Sequence, residues 1–208
     1  MFTGIVSDVG RIVRTEEHND VRRFSIASSY AADTIDIGAS ISCAGVCLTV
    51  VARVPAEAGG SIFDVEAAPE TLAVTSVQDW RLDTRVNLER SLHLGDELGG
   101  HLVSGHVDGL AEIVAREDLG ETTKFTFAAP HGLSRFIAPK GSVALDGTSL
   151  TVNGVDGDRF DCLLIPHTLK VTTWGERLAG MHVNLEVDTI ARYVARMVGM
   201  PDRPSAGA

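Results

Sequence analysis

The residues able to do chemistry in this chain come in pairs. Cys47-Leu48-Thr49-Val50 has a partner in Ser149-Leu150-Thr151-Val152, Gly4 in Gly105, and Pro69-Glu70-Thr71-Leu72 in Pro166-His167-Thr168-Leu169. These types suit recognition of a flat, polar small molecule. A glycine lets a ligand approach closely enough to read backbone N–H and C=O groups. Hydroxyls on an exposed strand face suit a polyol chain. The pairs are unequal where reactivity differs: Cys47 stands opposite Ser149, Ile5 opposite His106, and Glu70 opposite His167. Two like sites with unlike reactive groups suit a reaction between two identical molecules playing different roles. His106 is the candidate for proton transfer, because an imidazole titrates near neutrality; the plainer reading is a structural imidazole. Cys47 is a candidate nucleophile or hydrogen-bond donor, or simply a small strand residue facing the ligand. Ser149 is its counterpart.

Other chemistries find less support. His93, His101 and His106 lie among Asp96, Glu97 and Asp108 without the paired spacing of a metal box, so no metal is expected. Val103-Ser104-Gly105-His106 only loosely approaches the Gly-x-Ser-x-Gly turn of a hydrolase nucleophile. No Gly-x-Gly-x-x-Gly follows a strand and opens a helix, so dinucleotide binding is not supported. The net charge of −10 argues against a nucleic-acid partner. No run approaches the roughly 18 apolar residues of a membrane span, and Met1 to Asp8 lacks a basic or long apolar stretch. Neither a membrane segment nor a secretory signal is expected. Cys43, Cys47 and Cys162 are odd in number and match no zinc or thioredoxin spacing. They read as reduced thiols of a cytoplasmic protein.

The elements that must position these residues are themselves repeated. The offset is 101 residues from Gly4 to Gly105 and from Phe24 to Phe125. It is 102 from Ser40 to Ser142 and from Thr49 to Thr151, then 97 from Phe63 to Phe160. Val86-Asn87-Leu88-Glu89 returns as Val183-Asn184-Leu185-Glu186 at that last offset. Matches that keep their order define a tandem duplication, with domains at 1–97 and 98–187 and a terminal segment at 188–208. Each copy is near the ordinary domain size.

Alternation makes Cys47, Thr49 and Val51 share one face while Leu48 and Val50 share the other; Ser149 and Thr151 stand likewise against Leu150 and Val152. Strands are also predicted from Ile5 to Val13, Arg23 to Ala27, Ser61 to Glu66 and Arg85 to Leu88, with counterparts in the second half. Asp146-Gly147 is a hairpin turn signal. About six short strands per copy indicate an all-β fold with a small closed antiparallel barrel in each half. Thr71 and Thr168 are predicted to cap a helical turn. Leu94 to Gly100 is glycine-rich and charged, as a junction should be. From Asp188 to Gly199 an apolar stripe of Ile190, Tyr193, Val194, Met197 and Val198 predicts a helix, with Gly199 and Pro201 as stop signals. That stripe has no counterpart in the first copy. It packs either on its own barrel or against another subunit.

Together, Met-Phe-Thr-Gly-Ile-Val at residues 1–6, Cys47-Leu48-Thr49-Val50, Gly99-Gly100-His101-Leu102-Val103-Ser104-Gly105-His106-Val107 and Asp146-Gly147-x-Ser149-Leu150-Thr151-Val152 resemble the riboflavin synthase family. The likeness runs from residue 1 to about residue 198. It implies two six-stranded Greek-key barrels, a C-terminal α-helix, a homotrimer and no cofactor. It also implies a dismutation in which two molecules of 6,7-dimethyl-8-ribityllumazine exchange a four-carbon unit, giving riboflavin and a ribitylamino-pyrimidinedione. In that family the site forms between the N-terminal barrel of one subunit and the C-terminal barrel of another, and binds two lumazines.

Carried over residue by residue, the first site would use Gly4, Ile5 and Val6, then Cys47, Leu48 and Thr49, then Glu66, Ala67, Ala68, Pro69, Glu70 and Thr71. The second would use Gly105, His106 and Val107, then Ser149, Leu150 and Thr151, then Leu163, Leu164, Ile165, Pro166, His167 and Thr168. Lys140 matches a lysine that reaches a ligand across the subunit interface. His167 departs from the more usual glutamate. The alternative is a lumazine- or flavin-binding protein of the same family without catalysis; a flavin reductase would need a nicotinamide domain. Association with lumazine synthase, and which barrel holds the four-carbon donor, stay open at this point.

Overall fold

The computed structural model describes residues 1–18 and 20–199. The first copy folds as β1 (Asp8–His18), β2 (Val21–Ser28), β3 (Ser40–Cys43), β4 (Val46–Pro55), β5 (Ser61–Ala67) and β6 (Arg85–Arg90). These close in the order β1-β2-β5-β4-β3-β6, every pairing antiparallel. The second copy is β7 (Gly109–Leu119), β8 (Thr122–Ala128), β9 (Ser142–Leu145), β10 (Thr148–Asp156), β11 (Arg159–Leu164) and β12 (His182–Val187). It closes in the same order, and the step from β2 to β5 and back through β3 to β6 is the Greek-key path. Among the described residues the α-helices are α1 (Pro69–Val74), α2 (His131–Ser134), α3 (Pro166–Val171) and α4 (Thr189–Met197). The all-β architecture of two closed six-stranded barrels and a terminal helix is the one expected.

Alternation decides what each barrel buries. Leu48, Val50, Leu150 and Val152 face the interiors and are buried, while Thr49 and Thr151 face outward and are exposed. Each core is sealed by a tryptophan: Trp80 meets Phe24 edge-on at 5.4 Å, and Trp174 meets Phe125 at 5.2 Å. The pairings shift register at matching places, between Ile12 and Arg14 and between Ile113 and Ala115, then between Val50 and Ala52 and between Val152 and Gly154. Such bulges add the local bend a small barrel needs to close.

Two local expectations are corrected. The first strand was expected from Ile5 to Val13 but runs from Asp8 to His18, because the residues before it leave their own barrel. Thr71 and Thr168 lie inside α1 and α3 rather than capping them. Proline starts both helices, since it lacks the N–H that a first helical position leaves unpaired. The capping threonines are Thr75 and Thr172, which accept from Val77 N and Trp174 N at 3.2 Å to start short 3-10 turns. Of the predicted stop signals, Gly199 takes a positive φ of 73° after α4; Pro201 and the tail from 200 to 208 lie outside the described residues.

The two barrels are tied by exchange. Phe2 pairs with Val103 through two backbone bonds of 2.8 and 3.0 Å. His101 N donates to Thr3 O at 3.0 Å, Ser149 N to Gly4 O at 2.7 Å, and Cys47 N to Gly105 O at 2.8 Å. Each lead segment therefore lies on the opposite barrel. Phe2 fills the gap between them and is fully buried with Val103 and Ala144. The turns Ala44-Gly45 and Asp146-Gly147, with positive φ at all four residues, meet back to back. A Cβ on Gly45 would lie 2.8 Å from Gly147 N.

Two buried asparagines at equivalent positions cross the same seam. Asn87 donates to Asp146 O at 3.0 Å and accepts from Thr173 N at 2.8 Å. Asn184 donates to Ala44 O at 2.8 Å and accepts from Ser76 N at 2.8 Å. Two buried carboxylates then hold the lead segments. Glu89 accepts from Thr3 N and Thr3 Oγ1 at 2.7 Å and from Gly4 N at 2.9 Å. Glu186 accepts from Ser104 N at 2.6 Å, with the N–H groups of Gly105 and His106 also stabilising it.

Asn87→Ala or Asn184→Ala strands one buried N–H and one buried carbonyl in the other barrel. Each is expected to destabilise the protein by about 2–4 kcal/mol, the desolvation cost of orphaned polar groups, read from urea unfolding; a loss below about 0.5 kcal/mol would remove the asparagine crossing from the stability of the seam. Burial raises the pKa of Glu89 above its ordinary value of 4.5, its hydrogen bonds opposing this only in part. A raised carboxyl pKa contributes stability below the unfolded value and loses it as pH rises through the folded one. The stability of the wild type relative to Glu89→Gln should therefore fall as pH rises above 4.5. Paired denaturation curves across pH 4.5–8 check this, and an advantage that grows with pH would contradict it.

Candidate functional site

On the first barrel the outer face of β4 carries Cys47, half-buried, and Thr49, exposed. The β4–β5 register pairs Val50 with Val65, so Thr49 stands level with Glu66 and Cys47 with Ala68, where β5 runs into α1. Glu66 is held by Arg23, with contacts of 2.5 and 3.0 Å. Ala68, Pro69 and Glu70 are exposed and Thr71 is half-buried, so α1 borders the same outer face. Of the three thiols only Cys47 is more than marginally accessible; Cys43 and Cys162 are buried, and burial pushes the Cys162 thiol up to about 12.

The second barrel repeats this wall with Ser149 and Thr151 on the outer face of β10. Val152 pairs with Cys162, which brings Ser149 level with Ile165, just before α3. Leu163, Ile165, Pro166 and His167 are exposed, and Thr168 is half-buried. Lys140 is exposed and holds a positive φ of 66°, with its N–H donated to Val152 O at 2.8 Å. The equivalent place in the first barrel, whose N–H bonds Val50 O at 2.8 Å, is Gly38. A lysine costs more than glycine there, which is consistent with a use for its ammonium group.

The lead segments are where the structure departs from the expected grouping. Gly4, Ile5 and Val6 were grouped with Cys47, and Gly105, His106 and Val107 with Ser149. Instead Gly4 lies on Ser149 and Gly105 on Cys47. A Cβ on Gly4 would stand 2.5 Å from Ser149 Cβ, and one on Gly105 would stand 2.6 Å from Cys47 Cβ. The bareness of these glycines therefore admits the neighbouring strand rather than a ligand. Val107 packs on the core of the first barrel. The site on the first barrel thus gathers Cys47, Thr49 and the α1 entrance with His106, which is exposed. The site on the second gathers Ser149, Thr151 and the α3 entrance with Ile5, also exposed. Leu48, Ala67, Leu150 and Leu164 point into the barrels and are buried, so only their backbones can serve a ligand.

His101 was weighed as a metal ligand and stands in the block that carries the resemblance, but was given no place in either site. His101 Nδ1 lies 2.7 Å from Ser149 Oγ, and its Nε2 is buried without a partner among the described residues. Burial lowers its pKa, which Asp188 only partly offsets. Its signal in the sequence was being unpaired within a pattern where most polar positions have a counterpart. No group of three or more His, Cys, Asp or Glu able to hold a metal occurs among the described residues; His93 sits beside Asp96 instead.

Residues 3–91 and 104–188 each match the lumazine binding domain family. Riboflavin synthase from Brucella abortus strain 2308 is 56% identical over 95% of this chain and 98% of its own. The riboflavin synthase of Bacillus subtilis strain 168 is 35% identical over 95% of this chain and 90% of its own. Among solved structures, LumP complexed with riboflavin superposes with a TM-score of 0.79 at 22% identity, covering 90% of this chain and 99% of that one; this likeness concerns the fold. Duplicated outer faces, crossed lead segments and these relatives agree: the chain belongs to the riboflavin synthase family, as two lumazine binding domains in tandem.

Proposed function

We propose that this chain is an enzyme that converts two molecules of 6,7-dimethyl-8-ribityllumazine into riboflavin and 5-amino-6-ribitylamino-pyrimidinedione, without a cofactor. The observation that carries this reading is a pair of equivalent outer faces with unequal groups: Cys47, Thr49 and His106 on one, Ser149, Thr151 and Lys140 on the other. A four-carbon transfer between identical molecules requires one ring to lose a proton from its 7-methyl group and the other to be attacked at ring carbon 7. The rings themselves can delocalise the charge, so holding them face to face supplies much of the acceleration, roughly 7–11 kcal/mol for a well-oriented pair. His106 is the group assigned to proton movement, and Cys47 and Ser149 polarise the two ligands.

Both faces are open on the surface of one chain. A second copy is the natural cover, and α4 supports it. Ile190, Tyr193, Val194, Met197 and Val198 are all exposed, while Ala195 on the opposite side is buried. The stripe thus points away from its own barrel and offers a subunit contact. A homotrimer, with the first barrel of one subunit facing the second barrel of the next, is the assembly proposed. Three free thiols, two of them buried, fit a reducing cytoplasm. The non-catalytic alternative rests on the LumP fold likeness alone, whereas the relatives of higher identity are riboflavin synthases.

Incubating the purified protein with the lumazine and following riboflavin by absorbance tests the reading directly; binding without product would favour the alternative. Cys47→Ser and His106→Gln should each lower kcat by about tenfold or more while changing ligand affinity little, as for interactions made mainly in the transition state. Steady-state rates beside fluorescence titration separate the two quantities, and wild-type kcat in both variants would leave positioning as the whole mechanism. Tyr193→Glu with Val194→Asp should dissociate the assembly and abolish turnover, with folding intact because both side chains are exposed. Sedimentation showing an unchanged oligomer would reject α4 as the contact.

A further inference from the structure

The hydrogen-bond direction at the Ser149 hydroxyl can be deduced. His101 Nδ1 lies 2.7 Å from Ser149 Oγ, and either atom could be the donor. The other ring nitrogen, Nε2, is buried without a partner among the described residues. An orphaned buried N–H is rarer than an under-used acceptor, so the single proton of the neutral ring belongs on Nδ1. His101 then donates to Ser149, and the Ser149 proton must go elsewhere. It finds no acceptor other than His101 among the described residues.

The arrangement is rigid on every side. His101 N is bonded to Thr3 O at 3.0 Å and Ser149 N to Gly4 O at 2.7 Å. Between them, a Cβ on Gly100 would lie 2.1 Å from Thr3 O and 2.9 Å from Ser149 Cβ, so the chain fits only as glycine. The opposite barrel differs: its equivalent residue is Cys47, whose thiol makes no hydrogen bond among the described residues and whose N–H bonds Gly105 O at 2.8 Å. A thiol is a weak donor and acceptor, a hydroxyl a strong one.

We propose that His101 is a positioning residue whose Nδ1–H fixes Ser149 as a hydrogen-bond donor to the ligand on the second barrel, so that the two barrels hold identical molecules with unlike polarity. The ligand atom addressed is an acceptor, a ring carbonyl oxygen, a ring nitrogen or a ribityl oxygen. The inference rests on the proposed placement of a lumazine against Ser149.

Two measurements on the full-length protein test it. The 15N shifts of the His101 ring at pH 7.5 should show a protonated Nδ1 and a bare Nε2; the reverse tautomer, or an imidazolium, overturns the proposal. In a double-mutant cycle followed by riboflavin formation from the lumazine, H101L and S149A should each lower kcat/KM about tenfold, the size of one ordinary hydrogen bond. The double variant should be no worse than either single one, because both remove the same interaction. H101N, whose amide N–H falls near Nδ1, should restore activity to within about threefold of wild type, and H101Q, whose amide falls near Nε2, should not. This pair decides the matter even if H101L does not fold. Multiplicative losses in the double variant, or equal rescue by Asn and Gln, overturn the coupling while leaving Ser149 at the ligand. Wild-type kcat/KM and affinity in S149A overturn the placement of Ser149 itself, and with it the proposal.

Discussion

The structure depends on an exchange of backbone between two barrels that each close on themselves. A closed barrel has no free sheet edge, so two of them ordinarily meet only through side chains. Here the short segment leading into each barrel stays outside it and lies on the other. Five backbone hydrogen bonds at residues 2, 47, 101, 103 and 149 result, and Gly4, Gly100 and Gly105 make room for them. The buried Glu89 and Glu186 satisfy the N–H groups that these segments would otherwise bury unpaired. A carboxylate suits this task because its two oxygens can take several N–H groups at once, as both oxygens of Glu89 do.

This exchange also shapes the chemistry. Each outer strand face, with Cys47 or Ser149 at its centre, is completed by residues of the other copy. Duplication made the faces equivalent, and crossing made their neighbours different. His106 arrives beside Cys47 and His101 beside Ser149. Neither imidazole has a histidine counterpart in the repeat, so the seam adds to the asymmetry that Cys47 and Ser149 already give the two strands.

The same asymmetry extends to α4. The helix is capped by Asp188, which accepts from Ile190 N at 2.8 Å. Arg192 forks onto Asp108 at 2.7 and 2.8 Å, and Thr189 lies 3.3 Å from Ser104. Both contacts flank the lead segment that bears His106. The surface offered to another subunit is thus mechanically joined to a site group.

Much of the fold was legible in the residue pattern. Period-two alternation at Cys47–Val51 and Ser149–Val152 assigned inner and outer faces, because burial acts on single side chains in strict alternation. The repeat gave two like barrels, and the stripe from Ile190 to Val198 gave a helix. Three things were not legible. Gly4 and Gly105 repeat with the rest of each copy, yet they serve the opposite barrel; chain order says nothing about which neighbour a segment pairs with once it leaves its own sheet. Thr71 and Thr168 fall inside helices that start at a proline, and the threonines that do cap, Thr75 and Thr172, open the separate 3-10 turns that follow. His101 showed only as an odd histidine in a glycine-rich junction. Sequence by itself determined the outward hydroxyls and thiol, since side-chain direction in a strand is local. Only the tertiary structure decided which imidazole meets which of them, since that follows from long-range backbone pairing and the close approach that glycine alone allows.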